Sequence, residues 1–191
     1  MKVLTMLLTS ALLVPSVASA ATLTYIAILS GPNESPANTS PGTGRGVITI
    51  NTTTNMMEVA VQFSGLTSPT TASHIHCCTM TPFAGTAAVA TQTPTFPGFP
   101  LGVTTGVYDQ TFDLTLASTY NTSFVTASGA SVSAAESTFL AGIAAGDTYL
   151  NIHTSAFPSG EIRGFLVPTP EPATVLLAGA ALSAMLLRRR R

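Results

Sequence analysis

Residues 46–63 read GVITINTTTNMMEVAVQF and contain two strand-like segments joined by a polar turn. Apolar and polar side chains alternate through residues 46–50, which is the period of a strand with one buried face. Residues 51–55 form a polar, turn-prone run, and the apolar alternation resumes at residues 57–63. Alternation on both sides of a short turn favours a β fold.

The same pattern recurs along the chain. Short strands at this spacing favour an all-β fold, an antiparallel β-sandwich with Greek-key-like connections. One stretch, residues 134–145, predicts a short helix in which Ser133 is the candidate cap. Further strands are predicted at residues 23–28, 73–76, 107–116, 148–153 and 161–167.

Residues 81–103 are rich in proline and phenylalanine, which excludes a central strand. We expect an ordered loop. Its aromatic side chains either plug one end of the core or form a docking surface. They are Phe83, Phe96 and Phe99.

The first twenty residues have the layout of a secretory signal peptide. Lys2 precedes an apolar run at residues 3–17, and a small-residue cleavage site follows, which predicts a cut after Ala20. As a structural helix the run would be too short to span a bilayer, and Pro15 would interrupt it.

At the C-terminal end, a Pro-Glu-Pro motif is followed by an apolar run at residues 173–187 and four arginines. The motif and the tail are Pro170, Glu171, Pro172, Arg188, Arg189, Arg190 and Arg191. With this order, residues 168–191 closely resemble a PEP-CTERM sorting signal, which implies recognition by an exosortase in the bacterial envelope. The apolar run would reach about 22 Å as a transmembrane helix and would anchor the chain transiently. The basic tail favours the cytoplasmic side, so the domain lies outside. The alternative is a C-terminal anchor that is never cut.

Between these ends, residues 21–167 have the length of one domain and carry few charges. Their only basic residues are Arg45 and Arg163, against seven acidic ones, so a nucleic-acid partner is excluded. We expect an exported protein of the cell envelope, surface or extracellular matrix. Its expected partners are the secretion machinery, an exosortase, and the envelope or exopolysaccharide matrix.

Four motifs stand out within this domain: Ser64-Gly65-Leu66, Ala72-Ser73-His74-Ile75-His76, residues 149–154 (YLNIHT) and residues 158–164 (PSGEIRG). Together they resemble the motifs of the CHRD domain, named from chordin. The resemblance extends over about residues 29–166 and implies an all-β extracellular domain with no established catalytic activity. Cys77-Cys78-Thr79-Met80 departs from the family pattern, which usually has a Gly-rich segment there.

The three histidines of the chain all fall in these motifs. His74 and His76 project from one face of a strand, and His153 is placed similarly on another. If the two strands pair, the three imidazoles converge in a pattern that suits copper or zinc. In the alternative, the rings hydrogen-bond one another and nearby backbone, while Glu161 and Arg163 form an ion pair that stabilises the last hairpin.

Cys77 and Cys78 are the only cysteines. Three states are open to them: a vicinal disulfide, which we favour for an exported protein, free thiols, or soft metal ligands beside His76. Because no nucleophile motif is present, we expect binding or architecture rather than catalysis. The alternative function is a small extracytoplasmic copper- or zinc-binding protein that serves redox chemistry or metal capture.

Overall fold

A computed structural model of the chain describes residues 22–169, which contain eight strands and two helices. The predicted signal peptide, the Pro-Glu-Pro motif, the apolar run after it and the terminal arginines lie outside the described residues. The strands are β1 (Thr22–Ser30), β2 (Thr43–Asn51), β3 (Met56–Ser64), β4 (Thr70–Cys77), β5 (Gly106–Asp113), β6 (Thr148–Thr154), β7 (Ile162–Phe165) and β8 (Val167–Pro168), and the helices are α1 (Thr122–Ala127) and α2 (Val132–Ala145).

The predicted hairpin of residues 46–63 forms from β2 and β3. Ile48 lies opposite Val59, and both side chains are fully buried, as the period-two pattern requires. In the turn, Asn51 Oδ1 accepts hydrogen bonds of 3.0 Å from the backbone N–H groups of Thr53 and Thr54. The side chain of Asn51 thus stabilises the turn that sets the register of the two strands.

All strand pairs are antiparallel, and the sheet order is β4-β6-β7-β1-β2-β3-β5, with β8 paired to β1. The prediction of an all-β antiparallel fold is confirmed, with the strands joined in one curled sheet. Strands that are not neighbours pack across the core: a Cβ at Gly46 of β2 would lie 2.6 Å from Leu150 Cδ2 of β6. Glycine at position 46 allows this close approach.

Helix α2 confirms the helical prediction but begins earlier than expected. Ser131 caps it by accepting a hydrogen bond from the Ala134 N–H, so the cap is Ser131 rather than Ser133. Phe139 and Ile143 face the core, and Gly146 ends the helix in a left-handed conformation at φ 80°. The six-residue helix α1 precedes it. Neither of the helices within residues 22–169 has the length and apolarity that crossing a membrane requires.

The Pro-rich loop at residues 81–103 runs across the sheet without forming a strand longer than a single bridge. Phe96 and Phe99 are buried and stack near Tyr108 and Phe63, with Phe63 and Phe99 ring centroids 5.6 Å apart. Phe83 is 52% exposed. Two of the three loop rings therefore plug the core, and the third lies at the surface.

Candidate metal centre

Strands β4 and β6 place all three histidines on one face of the sheet. In their antiparallel register, His76 lies opposite Tyr149 and His153 lies opposite Ala72. Residues that lie opposite each other in a sheet project to the same side, so β4 contributes His74 and His76 while β6 contributes His153. The intervening Ile75, Leu150 and Ile152 are fully buried in the core on the other side.

The three imidazoles converge. Ring centroids are 4.8 Å apart for His74 and His153, 5.5 Å for His74 and His76, and 6.0 Å for His76 and His153. One nitrogen of each ring lies within 4.8 Å of one nitrogen of each other ring. Among the residues that the structure describes, this is the one group of three or more histidine, cysteine or carboxylate side chains close enough to hold a metal ion.

Each imidazole also contacts a backbone carbonyl oxygen. His74 Nε2 lies 2.8 Å from Pro94 O, His76 Nδ1 lies 2.9 Å from Ala87 O, and His153 Nδ1 lies 2.9 Å from Pro158 O. Because a carbonyl oxygen only accepts, the ring nitrogen must carry the proton and donate. These three hydrogen bonds fix the tautomer of each histidine.

The fixed tautomers leave a lone pair on the second nitrogen of each ring. These atoms are His74 Nδ1, His76 Nε2 and His153 Nε2, and each is buried without a hydrogen-bond partner among the described residues. The rings therefore do not hydrogen-bond one another. A ring that donates one N–H to a carbonyl and aims its other nitrogen at a shared point has the arrangement of a metal-ligating histidine.

Burial keeps these rings neutral. Desolvation, with a further contribution from the neighbouring imidazoles, lowers the pKa of His74 and of His76 to about 4. Desolvation likewise lowers the pKa of His153, although its hydrogen bond to Pro158 acts the other way. All three nitrogens hold their lone pairs at neutral pH, which is the state that binds a metal.

A family model for the CHRD domain matches residues 25–166. The chain belongs to the CHRD family. A second model, for the PEP-CTERM protein-sorting motif, matches residues 168–191 and indicates an exported protein of the bacterial cell envelope or surface that an exosortase recognises. Searches of curated proteins and of solved structures gave no significant match.

Tyr149 and Arg163 extend the polar layer of the CHRD domain beyond His76. The ring of Tyr149 stacks on that of His76, with centroids 4.7 Å apart and planes 7° from parallel. The guanidinium carbon of Arg163 lies 4.7 Å from the Tyr149 centroid. Arg163 also donates hydrogen bonds to the Asn33 and Gly85 carbonyls. The motif containing residues 149–154 thus supplies both a candidate ligand and the ring that packs on its neighbour.

Arg163 pairs with a carboxylate other than the one predicted. Its Nε lies 3.8 Å from Glu34 Oε2, and both side chains are 5% exposed. The Glu161 carboxylate instead accepts hydrogen bonds from the Ser40, Thr67 and Thr154 hydroxyls and from the Thr67 N–H. Burial raises the pKa of Glu161, but these four bonds outweigh it and lower that pKa overall. Hydroxyl groups therefore stabilise the Glu161 charge.

Burial acts differently on Glu34. Desolvation raises the pKa of this carboxyl to about 7, and the attraction of Arg163 offsets only part of that effect. The carboxyl reaches Arg163 from a 3-10 turn at Gly31–Asn33. Because Glu34 and Arg163 are more than a hundred residues apart in the chain, no local sequence pattern indicated that they pair.

The two cysteines lie on the other side of β4. Their sulfurs form a vicinal disulfide, and a Cβ at Gly142 of α2 would lie 2.5 Å from each sulfur. Cys77 is buried against the helix, in line with core-facing Ile75 rather than with His76. The structure thus brings the histidines together and keeps the cysteine sulfurs out of their cluster.

Proposed function

We propose that this exported CHRD protein acts at the cell surface or in the extracellular matrix by binding rather than catalysis, and that its ligand is a copper or zinc ion held by His74, His76 and His153. One observation carries the proposal: the three imidazoles each offer a nitrogen within 4.8 Å of the others, and each ring has one buried nitrogen without a hydrogen-bond partner among the described residues. Imidazole is a common ligand for both metals.

The unpartnered nitrogens support this proposal. A buried polar atom without a partner costs about 1–3 kcal/mol, so binding one ligand that satisfies all three nitrogens is favourable. One metal ion satisfies all three at once. A metal about 2.0 Å from each nitrogen needs nitrogen separations of about 3.3–3.5 Å. The candidate nitrogens lie within 4.8 Å of one another, so metal binding requires each pair of nitrogens to approach by about 1.5 Å at most.

Elemental analysis of the protein recovered from the cell envelope tests the proposal. We expect one copper or zinc ion per chain. Changing any one histidine to alanine should lower the affinity by more than about 10–100-fold, the usual cost of removing only a hydrogen-bond partner of a ligand. A saturating metal, at about 100 times its Kd, adds about 2.7 kcal/mol of stability, which a thermal melt resolves. Thr71→Ala is the matched control, since Thr71 is an exposed residue of β4, the strand that carries His74 and His76.

The controls separate a lost ligand from a lost fold. Circular dichroism must show the same sheet content in each variant and in the wild type, and His→Gln variants repeat the test with a polar side chain of similar reach. Metal-free wild-type protein whose melting temperature ignores added copper and zinc would contradict the proposal.

The export route is a second part of the proposal. We propose cleavage after Ala20 and processing at the Pro-Glu-Pro motif, with residues 173–187 as a transient membrane anchor, so that residues 21–167 reach the surface or the exopolysaccharide matrix. The sorting motif at residues 168–191 supports this order of events. Mass spectrometry of the surface protein measures both termini. An intact N-terminus, or an intact arginine tail, would refute the corresponding cut.

A further inference from the structure

The candidate ligands carry no negative charge. The cluster within residues 22–169 consists of three histidines, without a carboxylate or a thiolate among the groups in reach. The hydrogen bonds to the Pro94, Ala87 and Pro158 carbonyls fix each ring as the neutral imidazole. The three ligands therefore carry no negative charge that would balance the positive charge of a bound ion.

The surroundings do not compensate it either. Arg163 pairs with Glu34 at 3.8 Å, but burial raises the pKa of that carboxyl to about 7, so its negative charge is only partial at neutral pH. The Arg163 guanidinium packs on Tyr149, whose ring stacks on that of His76, so a cation lies on that side of the histidines. The desolvation cost of an ion grows with the square of its charge, so a dication costs about four times as much as a monocation here.

The centre is also closed to solvent. His74 is 7% exposed, and His76 and His153 are each 8% exposed. The three candidate nitrogens themselves are buried, beneath the 81–103 loop and the β6–β7 turn that supply the three carbonyls. Zn(II) with three protein ligands takes a fourth ligand, usually water. Cu(I), a closed-shell monocation, accepts three nitrogen ligands in a trigonal arrangement.

From the neutral ligands, the partial charge of Glu34 and the buried surroundings, we infer that the centre formed by His74, His76 and His153 (the trihistidine centre) selects Cu(I) over Zn(II). This inference rests on the proposed function and narrows it to one ion. Neither electron transfer nor catalysis is part of it: the protein binds Cu(I) as supplied.

Two competition titrations of the full chain test the inference. Cu(I) is added anaerobically as its acetonitrile complex, against bicinchoninate as a colorimetric competitor, and Zn(II) is titrated against a zinc-binding dye. No thiol reductant is used, so the Cys77–Cys78 disulfide stays closed. We expect Cu(I) to bind at one ion per chain and at least about tenfold more tightly than Zn(II), a difference of about 1.4 kcal/mol in binding free energy. X-ray absorption should show three nitrogen ligands.

Substitutions test whether the histidines are the groups that bind Cu(I). His76→Gln and His153→Gln should each weaken Cu(I) binding by more than about 10–100-fold, the usual cost of losing only a hydrogen-bond partner of a ligand. Met80→Leu is the matched control, since Met80 is 99% exposed and offers a soft sulfur outside the centre. It should leave the affinity unchanged.

The outcomes separate the two claims. Zn(II) binding that equals or exceeds Cu(I) binding, and that the histidine variants remove, overturns the Cu(I) inference and leaves the proposed metal site intact. Binding of neither ion, or binding that the histidine variants leave unchanged, overturns both. If the glutamine variants fail to fold, the metal preference and the ligand number of the wild type still decide the inference.

Discussion

Metal binding at the trihistidine centre should persist in acid down to about pH 5. Protons compete with a metal for the same lone pair, and the competition begins near the pKa of the metal-free ring. An ordinary histidine, with a pKa of about 6.5, is only about 3% neutral at pH 5. Burial lowers the pKa of His74 and His76 to about 4, so each is about 90% neutral at that pH.

The difference is large enough to measure. Two ordinary histidines would lose about a thousandfold in affinity between pH 7.5 and pH 5, whereas His74 and His76 together should lose less than about twofold. His153 acts in the same direction, since its pKa is also lowered. The assay is competition against a chelator of known pH dependence at both pH values. A loss near a thousandfold would refute the argument that burial keeps the rings neutral.

The same groups also set how the stability of the protein without metal depends on pH. Because the histidine pKa is lowered on folding, the unfolded chain takes up protons first as the pH falls from about 6.5 to 4. This costs about 2 kcal/mol per histidine at pH 5 for His74 and His76. Glu34 opposes it, because its pKa is raised to about 7 and the folded state then binds the proton first. Affinity must therefore be measured where circular dichroism shows the fold intact.

Three substitutions test other parts of the structure by chemical denaturation. Gly142→Ala should destabilise the protein by about 1–3 kcal/mol, because the new Cβ would lie 2.5 Å from both sulfurs of the Cys77–Cys78 disulfide. Helix propensity alone predicts the opposite, so a stabilised variant would contradict this packing. Arg163→Met should cost up to about 1.4 kcal/mol more at pH 8 than at pH 5.5, because Glu34, with a pKa raised by burial to about 7, must take up a proton at pH 8 that it already holds at pH 5.5. An equal cost at both pH values would count against the pair. Glu161→Gln should lower the free energy of unfolding by about 2–4 kcal/mol, since the NH2 group of its amide would face hydroxyl and N–H donors. An unchanged stability would show that the hydroxyl groups rotate to accept hydrogen bonds from that NH2 group.

The sequence predicted those parts of the fold that depend on local pattern. Alternation in residues 46–63 identified β2 and β3 because partners in a hairpin are close in the chain. The order of strands in the sheet could not be predicted in this way, because β4 and β6 are separated by about seventy residues and their pairing depends on the whole core. The helix cap moved from Ser133 to Ser131 because two serines precede the helical run, and only the backbone entering α2 distinguishes them.

The same division applies to the candidate site. Convergence of the histidines followed from strand geometry once β4 and β6 were assumed to pair. The Pro94, Ala87 and Pro158 carbonyls had no sequence signal, because every residue has a carbonyl and its direction is set by the fold. Arg163 was predicted to pair with Glu161, two residues away on the same face. Glu161 is fully buried among hydroxyls, which left Arg163 to the more distant Glu34.

The Pro-rich loop connects the core to the candidate centre. Phe96 enters the core of the sheet, while the carbonyls of Pro94 and Ala87 hold the rings of His74 and His76. Since Pro94 lies two residues before Phe96, the loop that packs the core also orients the first histidine. Carbonyl partners fix a tautomer without adding charge, unlike the carboxylates that often support metal-bound histidines. Covering the histidines with main chain thus leaves them neutral and buried, which is the basis of the inferred preference for a monovalent ion.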